Sequence, residues 1–239
     1  MITCRIISVN AEDSDVKKSV QDFGHQKDGD GNKLRYLNRR KKIKEFVENT
    51  TLPGIEFKIF DAITPKDFIK LGDDVLFNGK LMKSATESLF YIANNLSHYQ
   101  IWNINEDTLI VEDDLLFDPI KFIFTVGLIE KFENIKFSAK VLYLQGTHPS
   151  IPGAVNKNLV GINCGYLEFQ TPLMNNDDLS GTGAYFIKKE AKRMLLNNMK
   201  PLCACDKFMD DYYKEGLIQW FIPKNRELML SLDKETLVL

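Results

Sequence analysis

Apolar residues along this chain fall into short blocks with two rhythms. Cys4 to Val9 is a brief apolar-rich run of the kind that forms a buried strand. The sequence from there to Asn32 is polar and glycine-bearing, and predicts a loop or excursion over about residues 11–33. From Arg39 to Asn49 the residues Ile43, Phe46 and Val47 recur at helical spacing, which predicts an amphipathic helix with a basic outer face. Pro53-Gly54 breaks it, and Ile55 to Phe60 alternates as a second strand.

The same alternation continues downstream. Between Glu87 and Trp102, the residues Leu89, Ile92, Ala93, Leu96 and Tyr99 share one face of a long helix. Thr108 to Val111 predicts a central strand that ends abruptly in three carboxylates. A helix follows Pro119, with Ile120, Ile123, Phe124 and Leu128 at helical spacing and proline near its start. Val141 to Leu144 and Gly183 to Ile187 read as strands, and Lys189 to Met199 as a helix stopped by Pro201. Strand and helix alternate for most of the chain, so the expected fold is a single-domain, three-layer α/β architecture over residues 1–239 with a largely parallel sheet.

Composition narrows the function classes. The 239 residues are 44% hydrophobic and 27% charged with a formal charge of −2, enough for one core and without a basic field for nucleic acid. No apolar run approaches the roughly 18 residues of a membrane span, and Met1 to Arg5 leads straight into the first strand without a signal-like segment. A cytoplasmic protein is therefore expected. Cys4, Cys164, Cys203 and Cys205 are too scattered for a disulfide framework. Cys203 and Cys205 lack the partners of a zinc site and read as apolar filler. Asp28-Gly29-Asp30-Gly31-Asn32 imitates a calcium loop, but Lys33 and Arg39 stand where that loop needs glycine and a bidentate carboxylate.

Candidate chemistry sits at Glu112-Asp113-Asp114. Ligand sites in open α/β sheets lie beyond the carboxyl ends of strands. Adjacent carboxylates repel, and a hard cation such as Mn²⁺ or Mg²⁺ is a usual reason to gather them. Along an extended segment Glu112 and Asp114 point to one side and Asp113 to the other. Asp114 is thus the expected metal ligand, with Glu112 helping the metal or a sugar. A solvated acidic turn explains the triplet equally well on spacing alone.

The neighbours of the triplet carry a resemblance. Leu96-Ser97-His98-Tyr99-Gln100-Ile101-Trp102 followed by Leu109-Ile110-Val111-Glu112-Asp113-Asp114 resembles glycosyltransferase family 25, which holds bacterial lipopolysaccharide and procollagen galactosyltransferases. Gly181-Thr182-Gly183-Ala184-Tyr185-Phe186-Ile187 resembles that family's Gly-Thr-x-Ala-Tyr strand, and Ala191 to Leu195 the helix after it. Cys205-Asp206-Lys207-Phe208-Met209 resembles its Val-Asp stretch, and Arg39 to Phe46 with Phe57 to Ala62 its Arg-rich helix and following strand. The likeness runs in order over roughly residues 34–212.

The resemblance implies a GT-A fold and transfer of a hexose from a UDP-sugar, UDP-glucose or UDP-galactose, with inversion and a divalent cation. The implied acceptor is a hydroxyl on a glycan, a lipid-linked saccharide or hydroxylysine. It places Asp206 as the base for that hydroxyl, with an N-cap as its structural alternative and Asp177-Asp178 as a rival base. His98 is implied in orientation or phosphate contact, against the plainer reading of a satisfied core histidine. Ser8, Val9 and Asn10 are expected near the nucleotide base, Asp61 near the ribose, Arg39 and Arg40 at the donor phosphates, and Glu112 and Asp113 along the donor. The long polar excursion after the first strand departs from the family, as does Ala93-Asn94-Asn95 where a Gly-Cys pair is usual. A catalytically silent binding module and, on three histidines only, a metal-dependent phosphoesterase are the alternatives.

Overall fold

A computed structural model of the chain describes residues 1–10, 29–82, 89–146, 161–172, 181–197 and 205–231. Most of the polar excursion and the rival base Asp177-Asp178 lie outside these residues, as do Cys203, His25 and His148. The elements in chain order are β1 (Ile2–Ser8), α1 (Gly29–Asn49), β2 (Ile55–Asp61), β3 (Ile69–Leu71), β4 (Asp74–Phe77), β5 (Lys80–Met82), α2 (Leu89–Trp102), β6 (Thr108–Glu112) and α3 (Pro119–Glu133). They continue with β7 (Lys140–Tyr143), β8 (Gly161–Asn163), β9 (Phe169–Pro172), β10 (Ala184–Ile187), α4 (Lys189–Asn197), α5 (Cys205–Lys214) and β11 (Gln219–Pro223). Among the described residues no helix is long and apolar enough to cross a membrane.

Eight strands form one sheet in the order β2-β1-β6-β10-β7-β11-β9-β8. β2, β1 and β6 pair in parallel, as do β7 and β11, so the expectation of a largely parallel sheet holds. β10 runs against both β6 and β7. That reversal brings the entry of β10 to the same sheet edge as the exits of β6 and β7.

Period-two alternation sends neighbouring residues to opposite layers. Leu109, Val111, Leu142 and Phe186 face one core, closed by Ile43 and Phe46 of α1 and by Phe122, Ile129 and Phe132 of α3. Ile110, Val141, Tyr143, Tyr185 and Trp220 face the other, closed by α2, α4 and α5 through Trp102, Leu195 and Phe208. These are the three layers expected. Lys140 is buried yet satisfied: its ammonium reaches the carbonyls of Phe132 and Ile135, each at 2.7 Å, where α3 ends. A cation there suits the partial negative charge of a helix C-terminus.

Three features differ from the sequence expectation. Helix α1 starts at Gly29, so the stretch from Gly29 to residue 33 belongs to the helix and not to the loop expected through Asn32. A separate sheet, β3-β4-β5, fills the interval between β2 and α2. Its second turn is Asn78-Gly79 with φ of 49° and 71°, the two left-handed residues of a two-residue hairpin. Val75 and Phe77 bury one face of this small sheet against Ile92, Ala93 and Leu96 of α2. Finally, β8, β9 and β11 extend the main sheet on the β7 side.

Candidate functional site

At the end of β6 the three acids part company. Glu112 and Asp114 line a cleft of about 530 Å³ together with Asp206, while Asp113 lines a different one with Arg39 and Phe117. The sorting is the one expected of an extended segment, but a turn produces it. β6 ends at Glu112, and Asp113 and Asp114 lie in the turn that follows, where Leu115 N donates to Glu112 O at 3.4 Å.

Glu112 is the most strongly held. Its Oε1 takes the Thr182 hydroxyl at 2.7 Å and stands 3.1 Å from His98 Nε2. Burial pushes the carboxyl up, but hydrogen bonds from His98, Thr182 and Asn94 outweigh it and leave Glu112 below its ordinary range. The reversed β10 is the reason Thr182 can reach. Gly183 O accepts from Glu112 N at 2.8 Å, which continues the β6–β10 ladder past the strand and sets Thr182 beside the acid. Ser-His helix, strand-end acid and Gly-Thr strand therefore converge on one oxygen.

Asp114 has the opposite electrostatics. Burial first, then the charges of Glu112 and Asp113, push its pKa up to about 7 against the pull of Arg39. A carboxylate crowded this way favours a cation beside it. Among the described residues no three His, Cys, Asp or Glu side chains converge as a closed metal cage. The donor set is oxygen-only and incomplete, which suits a hard ion that shares one or two carboxylates and draws its other ligands from substrate phosphates.

Asp206 lies in the first turn of α5, which starts at Cys205, so it does not precede the helix as the N-cap reading expected. One carboxylate oxygen accepts from Gly181 N at 2.7 Å and the other from Lys207 N at 2.8 Å. It thereby straps the Gly181–Gly183 segment to α5 while facing the cleft. Gln145 completes that wall. Its Oε1 accepts from Gly183 N at 2.7 Å, and a Cβ on Gly181 or Gly183 would come within 2.8 or 2.9 Å of its carboxamide. Gly181 also has φ of +94°, so glycine is needed there twice over.

The nucleotide-side candidates are drawn together by Arg40. Its guanidinium reaches Asp61 Oδ1 at 2.6 Å and Ser8 O at 3.3 Å, tying the ends of β1 and β2. Arg40 and Ser8 are buried, whereas Val9 and Asn10 stay partly exposed. Arg39 Nη1 is 3.4 Å from Asp113 Oδ1, and Val9 N donates to the same carboxylate at 3.4 Å. Neither arginine is a solvated helix face: both are anchored to strand ends. His98 is fully buried, as the core reading expected, and also touches a cleft acid.

Sequence reasoning missed Gln145, Thr182 as a Glu112 partner, and the carboxamides of Asn94 and Asn95 along the cleft. Of these only Thr182 carried a signal, lying in the Gly-Thr segment already singled out.

No curated protein sequence matches the chain. Among solved structures, a Bacillus anthracis protein assigned as a candidate glucose-1-phosphate thymidylyltransferase, solved in complex with a sucrose, aligns at 12% identity and a TM-score of 0.36. The alignment covers 93% of this chain and 87% of that one, and the score is too low to bear on function. Residues 34–211 match the profile of glycosyltransferase family 25, described as LPS biosynthesis proteins. That span takes in most of α1, all three acids of the cleft and the Gly-Thr strand, and the chain belongs to glycosyltransferase family 25.

Proposed function

We propose that the protein is an inverting, metal-dependent hexosyltransferase of GT-A type. It would move glucose or galactose from UDP to a hydroxyl of a glycan, a lipid-linked saccharide or hydroxylysine. The observation that carries this reading is the shared cleft of Glu112, Asp114 and Asp206 at the exits of the central strands.

In this reading Asp114 holds a Mn²⁺ or Mg²⁺ ion, helped by Glu112. That ion supplies charge neutralisation for the departing diphosphate. Asp206 takes the proton of the acceptor hydroxyl as its oxygen bonds to the anomeric carbon from the face opposite UDP, and the bond from that carbon to the phosphate oxygen breaks. Two backbone N–H donors hold Asp206 in place for that step. Arg39, which lines the neighbouring cleft, supplies a positive group on the donor side. Glu112, kept charged by its three donors, faces the sugar and the cation. Val9 and Asn10 are the strand-end positions open to the base, and Asp61 the one open to the ribose.

The test is UDP release from UDP-glucose and UDP-galactose with and without Mn²⁺, over panels of saccharide and hydroxylysine acceptors. Release that needs both metal and acceptor supports the proposal. Tight UDP-sugar binding with no turnover on any acceptor would point to a silent binding module.

A further inference from the structure

Behind Glu112 stand three side chains from two elements, joined in one unbroken series. Trp102 Nε1 donates to the Tyr185 hydroxyl at 3.0 Å, that hydroxyl is 2.8 Å from His98 Nδ1, and His98 Nε2 is 3.1 Å from Glu112 Oε1. The rings of His98 and Tyr185 stack with centroids 5.7 Å apart, and both residues are 0% exposed.

Donor and acceptor capacity gives the series a direction. A carboxylate only accepts, so Nε2 carries the hydrogen that faces Glu112. An indole N–H only donates, so the Tyr185 oxygen accepts on that side, and its own hydrogen points to His98 Nδ1. That hydrogen is present, because burial above all pushes the phenol well above its ordinary range. Hydrogens on both ring nitrogens would instead aim two donors at Tyr185 and strand its hydroxyl hydrogen in a dry core.

We infer that Tyr185 is a positioning residue of the cleft, whose hydroxyl donates to His98 Nδ1, fixes the imidazole as the Nε2–H form, and so holds the Glu112 carboxylate in place. With the opposite tautomer a ring lone pair would face the carboxylate and repel it. What Glu112 then does for sugar or cation rests on the transferase reading above; the direction of the hydrogen bonds does not.

The test uses the full chain with His25→Gln and His148→Gln, which leaves His98 as the one histidine. With ¹⁵N-labelled histidine its spectrum should show a single neutral form, protonated at Nε2 and accepting at Nδ1. Tyr185→Phe should change that pattern and lower kcat about 10–100-fold, with KM for the nucleotide-sugar little changed. Trp102→Phe leaves the tyrosine hydrogen in place, so the His98 pattern should persist. Hydrogen at Nδ1 in the parent, or a Tyr185→Phe protein with unaltered His98 signals or unaltered kcat, overturns the inference. If Tyr185→Phe does not fold, the parent spectrum and Trp102→Phe decide it alone. The expected spectrum in a protein that transfers no sugar would overturn the transferase reading and leave the hydrogen-bond direction standing.

Discussion

Asp113 and Asp114 are adjacent in sequence yet serve different clefts: Asp113 pairs with Arg39 at 3.4 Å, whereas Asp114 faces the cleft that holds Asp206. Substitution should separate them. Asp114→Asn should abolish both Mn²⁺-dependent turnover and the rise in melting temperature on adding Mn²⁺. Asp113→Asn should keep the Mn²⁺ response, because burial already disfavours the charge it removes. Equal metal responses in the two variants would contradict the assignment.

The metal-free protein should also report Asp114 through pH. Its folded pKa of about 7 stands above the unfolded value of about 3.9, so the folded state holds the proton longer. Between those values the native state binds more protons, and stability falls as pH rises from about 4 to about 7. Melting curves in EDTA across that window should show a downward slope that is steeper in the wild type than in Asp114→Asn, which keeps the contribution of Asp113, whose carboxyl burial also raises.

Asp206 combines a candidate base with a strap on Gly181, and two substitutions distinguish the roles. Asp206→Asn keeps a carbonyl oxygen for the Gly181 N–H and should retain fold and UDP binding while losing transfer. Asp206→Ala releases Gly181 as well and should melt lower by the worth of a buried hydrogen bond, roughly 1–3 kcal/mol. Calorimetry and UDP titration separate the two outcomes. Undiminished transfer by Asp206→Asn would remove it as base.

Gly181 and Gly183 should not tolerate alanine equally. Both meet Gln145, but only Gly181 also has a left-handed backbone. Gly181→Ala should therefore cost the more, on the order of 1–3 kcal/mol for the backbone alone. Urea midpoints in the reverse order would show that the clash with Gln145, not φ, sets the cost.

Lys192 offers a check away from the cleft. Its buried ammonium donates to Thr108 Oγ1 at 2.7 Å, and burial, with a smaller push from Arg5, lowers its pKa to about 8 against Glu106 and Asp107. The unfolded value is about 10.4, so between those pH values the unfolded chain binds more protons and stability climbs with pH. The climb is at most about 3 kcal/mol. Urea midpoints from pH 7 to 10.5 should rise in the wild type relative to Lys192→Met.

Much of this architecture was legible in the sequence for identifiable reasons. The strand at Thr108–Glu112 showed because an apolar run ended sharply in charge, whereas Glu112 and Asp114 part from Asp113 through a turn at 113–114 and not through the extended backbone expected there. The start of α1 did not show. Gly29 to Asn32 contains two glycines and no apolar residue, so periodicity had no face to detect. The β4–β5 hairpin did carry its signal in Asn78-Gly79, and Trp220-Phe221-Ile222 before Pro223 was an apolar run of strand length. The link of His98 to Tyr185 spans 87 positions and that of Gly183 to Gln145 spans 38. No local pattern encodes such pairings; the order of strands in the sheet creates them.

The reversed strand β10 has a consequence for how the protein comes into being. Among the described residues it alone joins the β2-β1-β6 block to the β7-β11-β9-β8 block. A nascent chain that ended before Gly181 would have Glu112 and Asp114 but neither β10 nor β11, so β2-β1-β6, β7 and β9-β8 would lie unjoined. Insertion of residues 184–187 joins β6 to β7, and it delivers Thr182 to Glu112 in the same event. Long-range closure of this kind is slow, because loop entropy is lost before any contact repays it. The joining of the two strand blocks and the seating of Glu112 are thus one event, and a chain truncated before Gly181 lacks both.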